Sequence, residues 1–158
     1  MQLTGFDGRV AFVTGAAGGI GRALVRQLLA AGSTVVACDL TAPDIDPPAG
    51  ASDRLWPCAL DVSDGAAVTQ QVRQSEAEIG PIDLGVNVAG VLSGTLVTDT
   101  TDAEWRRVFS VNCDGVFHVG RALAQAMQPR RRGAIVTVGS NVAGVPRQRP
   151  APKISPGP

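Results

Sequence analysis

Glycines 15, 19 and 21 in the run Thr14-Gly15-Ala16-Ala17-Gly18-Gly19-Ile20-Gly21 stand between the apolar stretch Val10 to Val13 and a helix-period pattern that begins near Gly19. A strand that ends in glycines and feeds a helix leaves backbone N–H groups aimed at one spot, where the helix dipole favours negative charge. The chemistry this suits is the grip of a dinucleotide pyrophosphate. Gly15 would allow the tight turn, Gly19 the approach of backbone to phosphate, and Gly21 the packing of helix on strand. Thr14 and Ile20 belong to the same turn.

Other polar residues fall where strands should end. Asp39 closes the apolar run Val35 to Cys38, roughly twenty residues beyond the turn, where a carboxylate reaches adenosine ribose hydroxyls. A carboxylate accepts from two hydroxyls and repels a 2′-phosphate, and no Arg or Lys flanks Asp39. This favours NAD over NADP. Asp61 and Val62 read either as the edge that holds adenine or as a helix-capping acid with its neighbour. Ala89 and Gly90, after Asn87, are small enough for a cofactor to pass close to the backbone. Ser140 ends the last strand pattern with a hydroxyl. Asn112 lies in the middle of an apolar helical stripe, where its amide must find partners or cost stability; it is either a bridge to backbone groups or part of a site.

The elements that must position these residues alternate. Strand patterns run over Arg9 to Thr14, Thr34 to Cys38, Arg54 to Leu60, Asp83 to Val88 and Ala134 to Val138, with helical periods between them. That alternation predicts an α/β fold: a doubly wound parallel sheet with helices on both faces. The first helix is expected to bury Ile20, Leu24 and Leu28, with Ala23 and Ala31 beside them, and to stop at Gly32. The second carries Val68, Val72 and Ile79, capped by Ser63 and ended by Gly80-Pro81. The third opens with a reciprocal capping box of Thr101 and Glu104 and presents Trp105, Val108, Phe109, Asn112, Val116, Val119, Leu123 and Met127 to the core. Pro57 removes a ladder donor, which places the third strand at an edge and predicts the order 3-2-1-4-5. Ligands of such a sheet sit beyond the carboxyl ends of its strands, where Gly15, Asp39, Asp61, Asn87 and Ser140 all fall.

Length and composition bound the rest. The 158 residues suit one domain, and 44% hydrophobic with 18% charged residues is ordinary for a globular protein. Fourteen basic residues balance fourteen acidic ones, so neither nucleic acid nor an anionic membrane is an expected partner. Arg130-Arg131-Arg132 reads as a solvated loop. No apolar stretch approaches the roughly 20 residues that span a bilayer, and the N-terminus shows no signal pattern, so the expected location is cytoplasmic. Cys38, Cys58 and Cys113 form no metal-ligand spacing and are expected as buried free thiols; no metal is expected. His118, off its helix's apolar stripe, is expected to be solvated or at an interface.

Taken in order and at these intervals, Thr14-Gly-x-x-x-Gly-Ile-Gly21, Asp61-Val62, Asn87-Val88-Ala89-Gly90, Asn112 and Ser140 resemble the short-chain dehydrogenase/reductase family, from about Asp7 to Arg147. The resemblance implies a Rossmann-like fold, NAD, and oxidation of a small hydroxyl-bearing substrate. It maps a substrate-binding serine to Ser140 and a proton-relay asparagine to Asn112. The runs Gly80 to Asp83, Val86 to Leu92, Phe109 to Asn112, Gly115 to Phe117 and Ala134 to Arg147 are similar to members that oxidise a dihydrodiol acid to the catechol acid used in siderophores. Two departures stand out. Val88 replaces a frequent second asparagine, and the family's tyrosine and lysine would fall at Lys153 and Gly157 in a chain that has no tyrosine. Lysine, protonated at neutral pH, is no general base. The expectation is a dehydrogenase chain truncated or frame-altered after about Arg147. Its NAD-binding domain spans residues 1–147, incomplete at the C-terminal side, and a proline-rich disordered tail covers 148–158. Full-length members are homo-oligomers by the same resemblance; this chain carries only part of that contact surface. An exposed fifth strand and an uncovered long helix follow from it.

Overall fold

The structure, a computed structural model, describes residues 4–140; the expected tail at 148–158 and the motif residues after Ser140 lie outside them. Five strands, β1 (Val10–Thr14), β2 (Thr34–Asp39), β3 (Leu55–Ala59), β4 (Ile82–Asn87) and β5 (Ala134–Thr137), pair in the order β3-β2-β1-β4-β5. Every pairing is parallel. The helices are α1 (Gly19–Ala30), α2 (Gly65–Glu78), α3 (Asp102–Phe109) and α4 (Val116–Met127), with a π-helical turn, Ser110–Gly115, joining the last two.

Alternation along β1 divides the core into two layers. Phe12 meets Val36, Val68, Val72, Ile82, Val119 and Leu123 on the side of α2 and α4. Ala11 and Val13 meet Val25, Leu28, Leu29, Val35 and Ala37 on the side of α1. Buried on both faces, β1 therefore reads as an unbroken apolar run. Gly85 in β4 is small because a Cβ there would overlap the Leu123 side chain.

β3 lies at an edge, and the geometry explains its proline. The Leu60 N–H donates to the Asp39 carbonyl at 2.7 Å. Amides alternate sides along a strand, so Pro57, three residues earlier, turns its nitrogen outward and costs β2 nothing.

Several local expectations need correction. α1 buries Gly21, Val25, Leu28 and Leu29, whereas Ile20 is 64% exposed because its turn overhangs the carboxyl end of the sheet. α2 is capped by Asp64, whose carboxylate accepts from the Ala66 and Ala67 amides; Ser63 is not the cap. The capping box of α3 is half formed: Thr101 Oγ1 accepts from Glu104 N at 3.2 Å, but the Glu104 carboxylate turns to Ser93 and Thr95. The long apolar stripe divides at the π turn. Val119, Leu123 and Met127 are buried, but Trp105 and Phe109 stack on each other and stand 56% and 41% exposed. Val108 of that stripe is half-buried as expected, whereas at the turn the inward-facing residues are Val111 and Gly115, one position before the Asn112 and Val116 read at a uniform 3.6-residue period. A π turn takes in an extra residue and rotates what precedes it.

Arg130 and Arg132 are ion-paired rather than free in solvent. Arg130 holds Glu76 at 2.9 Å and the Ile82 carbonyl at 3.0 Å, and Arg132 holds Asp83 at 3.1 Å. Cys38 and Cys58 are not separate thiols: the register sets them side by side on β2 and β3, Cα atoms 4.9 Å apart, joined as a disulfide. Cys113 is free and exposed. β5 is exposed along its whole length among the described residues, as expected.

Candidate nucleotide-binding crevice

A crevice of about 540 Å³ opens beyond the carboxyl ends of β1, β2 and β4. One side is the glycine turn. Gly15 has φ +68°, and a Cβ there would fall 2.6 Å from the Ala89 nitrogen, so only glycine lets β1 and the segment after β4 meet this closely. A Cβ at Gly21 would overlap the Gly15 carbonyl, which keeps the start of α1 on the turn. Above Gly19 nothing lies within 4 Å of a would-be Cβ. Helix starts leave their first amides without intrahelical acceptors, and those of α1 border this open space.

Asp39 and Asp61 line the adjoining wall with Val62. Asp39 ties the wall to the turn, its Oδ2 accepting from Ala17 N at 2.9 Å and its Oδ1 from Leu40 N at 2.8 Å. A carboxylate offers about four lone-pair sites, so each oxygen keeps acceptor capacity toward the crevice. Asp61 Oδ1 accepts from the Ser63 amide at 2.9 Å and the Ser63 hydroxyl at 2.7 Å. With Asp64 capping α2, the capping alternative for Asp61 falls away. The Arg22 guanidinium on α1 is turned to the Asp44 carbonyl and that of Arg26 to Asp46.

Ala89, Gly90 and Val91 form the opposite wall. Thr14 and Asn87, expected in the site, are 1% and 3% exposed and stand behind the lining because alternate strand residues point inward. Thr14 Oγ1 accepts from Ala89 N at 3.4 Å, and Asn87 Nδ2 donates to Thr137 Oγ1 at 3.2 Å. Asn87 Oδ1 has no hydrogen-bond partner among the described residues. Asn112, on the π turn, makes a two-bond amide pair with Val91: Oδ1 accepts from Val91 N and Nδ2 donates to Val91 O, both at 2.9 Å. The bridge to backbone weighed for it is thus formed. Ser140 follows β5, exposed and outside the crevice lining.

Sequence reasoning missed Ala17, Leu40 and Val91, which act through backbone groups and leave no side-chain signal. It also missed His118. That residue is half-buried, its Nδ1 lies 3.1 Å from the Val62 carbonyl, and its ring packs over Gly65. Among the described residues, no group of His, Cys, Asp or Glu could hold a metal ion. No described helix is long and apolar enough to cross a membrane. The one clear electrostatic shift lies outside the crevice: hydroxyl hydrogen bonds from Ser93 and Thr95 hold the Glu104 carboxyl below its ordinary range.

Comparison with known proteins places this geometry. A family model described as short chain dehydrogenase matches residues 9–152. The chain is 43% identical over 153 residues to 2,3-dihydro-2,3-dihydroxybenzoate dehydrogenase of Bacillus subtilis (strain 168), covering 93% of this chain and 58% of that protein. It is 36% identical to 3-oxoacyl-[acyl-carrier-protein] reductase of Escherichia coli (strain K12), over 87% of this chain and 57% of the relative. A short-chain type dehydrogenase/reductase from Mycobacterium marinum superposes with a TM-score of 0.79 at 28% identity, over 90% of this chain and 60% of its own. A short chain dehydrogenase from Leptospira borgpetersenii, solved with bound NAD+, shares the fold with a TM-score of 0.83 at 24% identity, over 90% and 56%. The chain thus spans a little over half the length of these relatives. On its motifs, its strand order and these matches, the chain belongs to the short-chain dehydrogenase family.

Proposed function

We propose that residues 1–147 are the NAD-binding part of an oxidoreductase whose substrate is 2,3-dihydro-2,3-dihydroxybenzoate, oxidised to 2,3-dihydroxybenzoate for catechol siderophores. The reading sets the chain in the cytoplasm, with a small hydroxyl-bearing molecule as its partner. The substrate rests on the likeness to the Bacillus subtilis dehydrogenase. The cofactor rests on the crevice itself: an open cradle over Gly19 beside Asp39, whose carboxylate has acceptor capacity left for two ribose hydroxyls. That placement of Asp39 carries the reading. A 2′-phosphate there would meet a carboxylate, and the α1 arginines that could offset the repulsion are engaged with loop residues.

When bound, NAD supplies the hydride acceptor. The protein's residues do the rest in this reading: the Gly15 to Gly21 turn holds the pyrophosphate, Asp39 the ribose, Asp61 and Val62 the adenine edge, and Ala89 and Gly90 let the cofactor pass. Thr14, Ile20 and Asn87 support that surface. Ser140 orients the substrate hydroxyl, and Asn112 fixes the Val91 backbone and serves the proton relay.

A second reading is favoured by one observation: the 158 residues contain no tyrosine to take the hydroxyl proton. On that ground this chain binds nucleotide without turnover. Titration calorimetry with NAD and NADP, followed by an assay for reduced nicotinamide with the dihydrodiol acid, tests both readings. NAD is expected to bind at least about tenfold more tightly than NADP, a difference of about 1.4 kcal/mol, and Asp39→Asn to narrow that ratio. No heat with millimolar NAD overturns nucleotide binding. Formation of reduced nicotinamide overturns the binding-only reading.

A further inference from the structure

We infer that His118 is a positioning residue for the adenine side of the crevice; the inference rests on the nucleotide reading above. The wall made by Asp61 and Val62 follows β3, an edge strand with a single neighbour, so the sheet holds this loop from one side only. What holds it from the other side is the start of α4. The Val62 side chain is 6% exposed and lies against Gly115, where an added Cβ would come 2.7 Å from Val62 Cγ2. The Val62 carbonyl lies 3.1 Å from His118 Nδ1. A carbonyl only accepts, so Nδ1 carries the hydrogen and donates. The ring is itself fixed, since a Cβ on Gly65 would lie 3.0 Å from His118 Cδ2 and 3.1 Å from Nε2. His118 thereby orients the Val62–Ser63 peptide, and with it the Asp61 carboxylate that Ser63 holds.

The same stretch of chain reaches the far wall, because Asn112 pairs with the Val91 backbone. Residues 112 to 118 therefore clasp both sides of the crevice, Asn112 on the side of Gly90 and Val91 and His118 on the side of Asp61 and Val62. Each clasp is a polar side chain on a main-chain group, so each sets where its wall stands.

The test separates the two ends of the dinucleotide. Binding of NAD, AMP and nicotinamide mononucleotide to the full chain is measured for the parent, His118→Ala and His118→Asn, with urea unfolding of each to establish that it is folded. Losing one hydrogen bond of about 1 kcal/mol predicts about fivefold weaker binding of NAD and AMP to His118→Ala, and unchanged binding of the mononucleotide. Asparagine sets an amide N–H about where Nδ1 stands, so His118→Asn is expected to recover most of the loss. Should His118→Ala fail to fold, His118→Leu, which keeps bulk and lacks the donor, takes its place. Equal weakening of AMP and the mononucleotide overturns the inference, as does an unchanged AMP affinity or a His118→Asn no better than His118→Ala. A parent chain that binds no NAD overturns the nucleotide reading and this inference together, whereas a parent that binds NAD beside an unaffected His118→Ala overturns this inference alone.

Discussion

β1 and β5 are both short parallel strands of apolar residues, VAFVT and AIVT, yet every residue of β1 is buried and every residue of β5 is exposed. Their own composition does not separate them. β1 lies between two strands and under helices on both faces, and β5 has β4 on one side. The same division runs through the long helical segment, where α4 buries Val119 and Leu123 while α3 buries nothing. Stability and the crevice therefore share one half of the molecule, and exposed apolar surface is concentrated in the other. A residue's contribution follows from what stands opposite it rather than from its place in an apolar pattern.

The comparison breaks most severely at Gly15. Gly15→Val would force a β-branched residue to φ +68° and drive its Cβ into the Ala89 backbone. Strain and overpacking together are expected to cost about 3 kcal/mol or more, read as a lower urea midpoint, with loss of NAD binding in whatever remains folded. A variant as stable as the parent would mean that β1 and β4 do not meet this closely. A paired measurement sharpens the contrast. Leu123→Ala empties the space against Gly85 and is expected to cost about 3 kcal/mol, while Phe109→Ala, on the exposed half of the same helical run, loses chiefly its stack on Trp105 and is expected to cost about 1 kcal/mol. Equal costs would erase the division.

The smallest effect is local and depends on pH. Glu104 is held below its ordinary pKa by the Ser93 and Thr95 hydroxyls, so its contribution is complete above the unfolded value of about 4.5 and is lost as pH falls through the lower folded value. Protection of the amides at residues 93–95, taken as the intrinsic exchange rate at each pH divided by the observed one, is expected to hold at neutral pH and to fall only below that ordinary range. In Glu104→Gln the protection is expected to be lower and to lose this pH dependence.

The strand order and the crevice's rim could be read from the sequence for specific reasons. Gly15, Asp39 and Asp61 mark strand ends by residue type, and Pro57 marks the edge by its missing donor. The α3 face could not be read, because periodicity assumes a uniform turn and Ser110–Gly115 contains an extra residue that shifts the inward track from Asn112 to Val111. The Cys38–Cys58 pair escaped notice because register, not sequence distance, brings the two together. His118 escaped notice because its partner is a carbonyl, which every residue has. The site's backbone contacts share that fault: Ala17, Leu40 and Val91 act through groups their side chains do not announce.

Pro57 has a further effect on how this sheet can be extended. Its outward-facing nitrogen interrupts the row of donors along β3, while β5 has no proline along its outer rim. A strand arriving beside β3 therefore meets a gapped template. Lengthening of the sheet past this border is opposed by one residue's missing hydrogen, without any charge or covering loop.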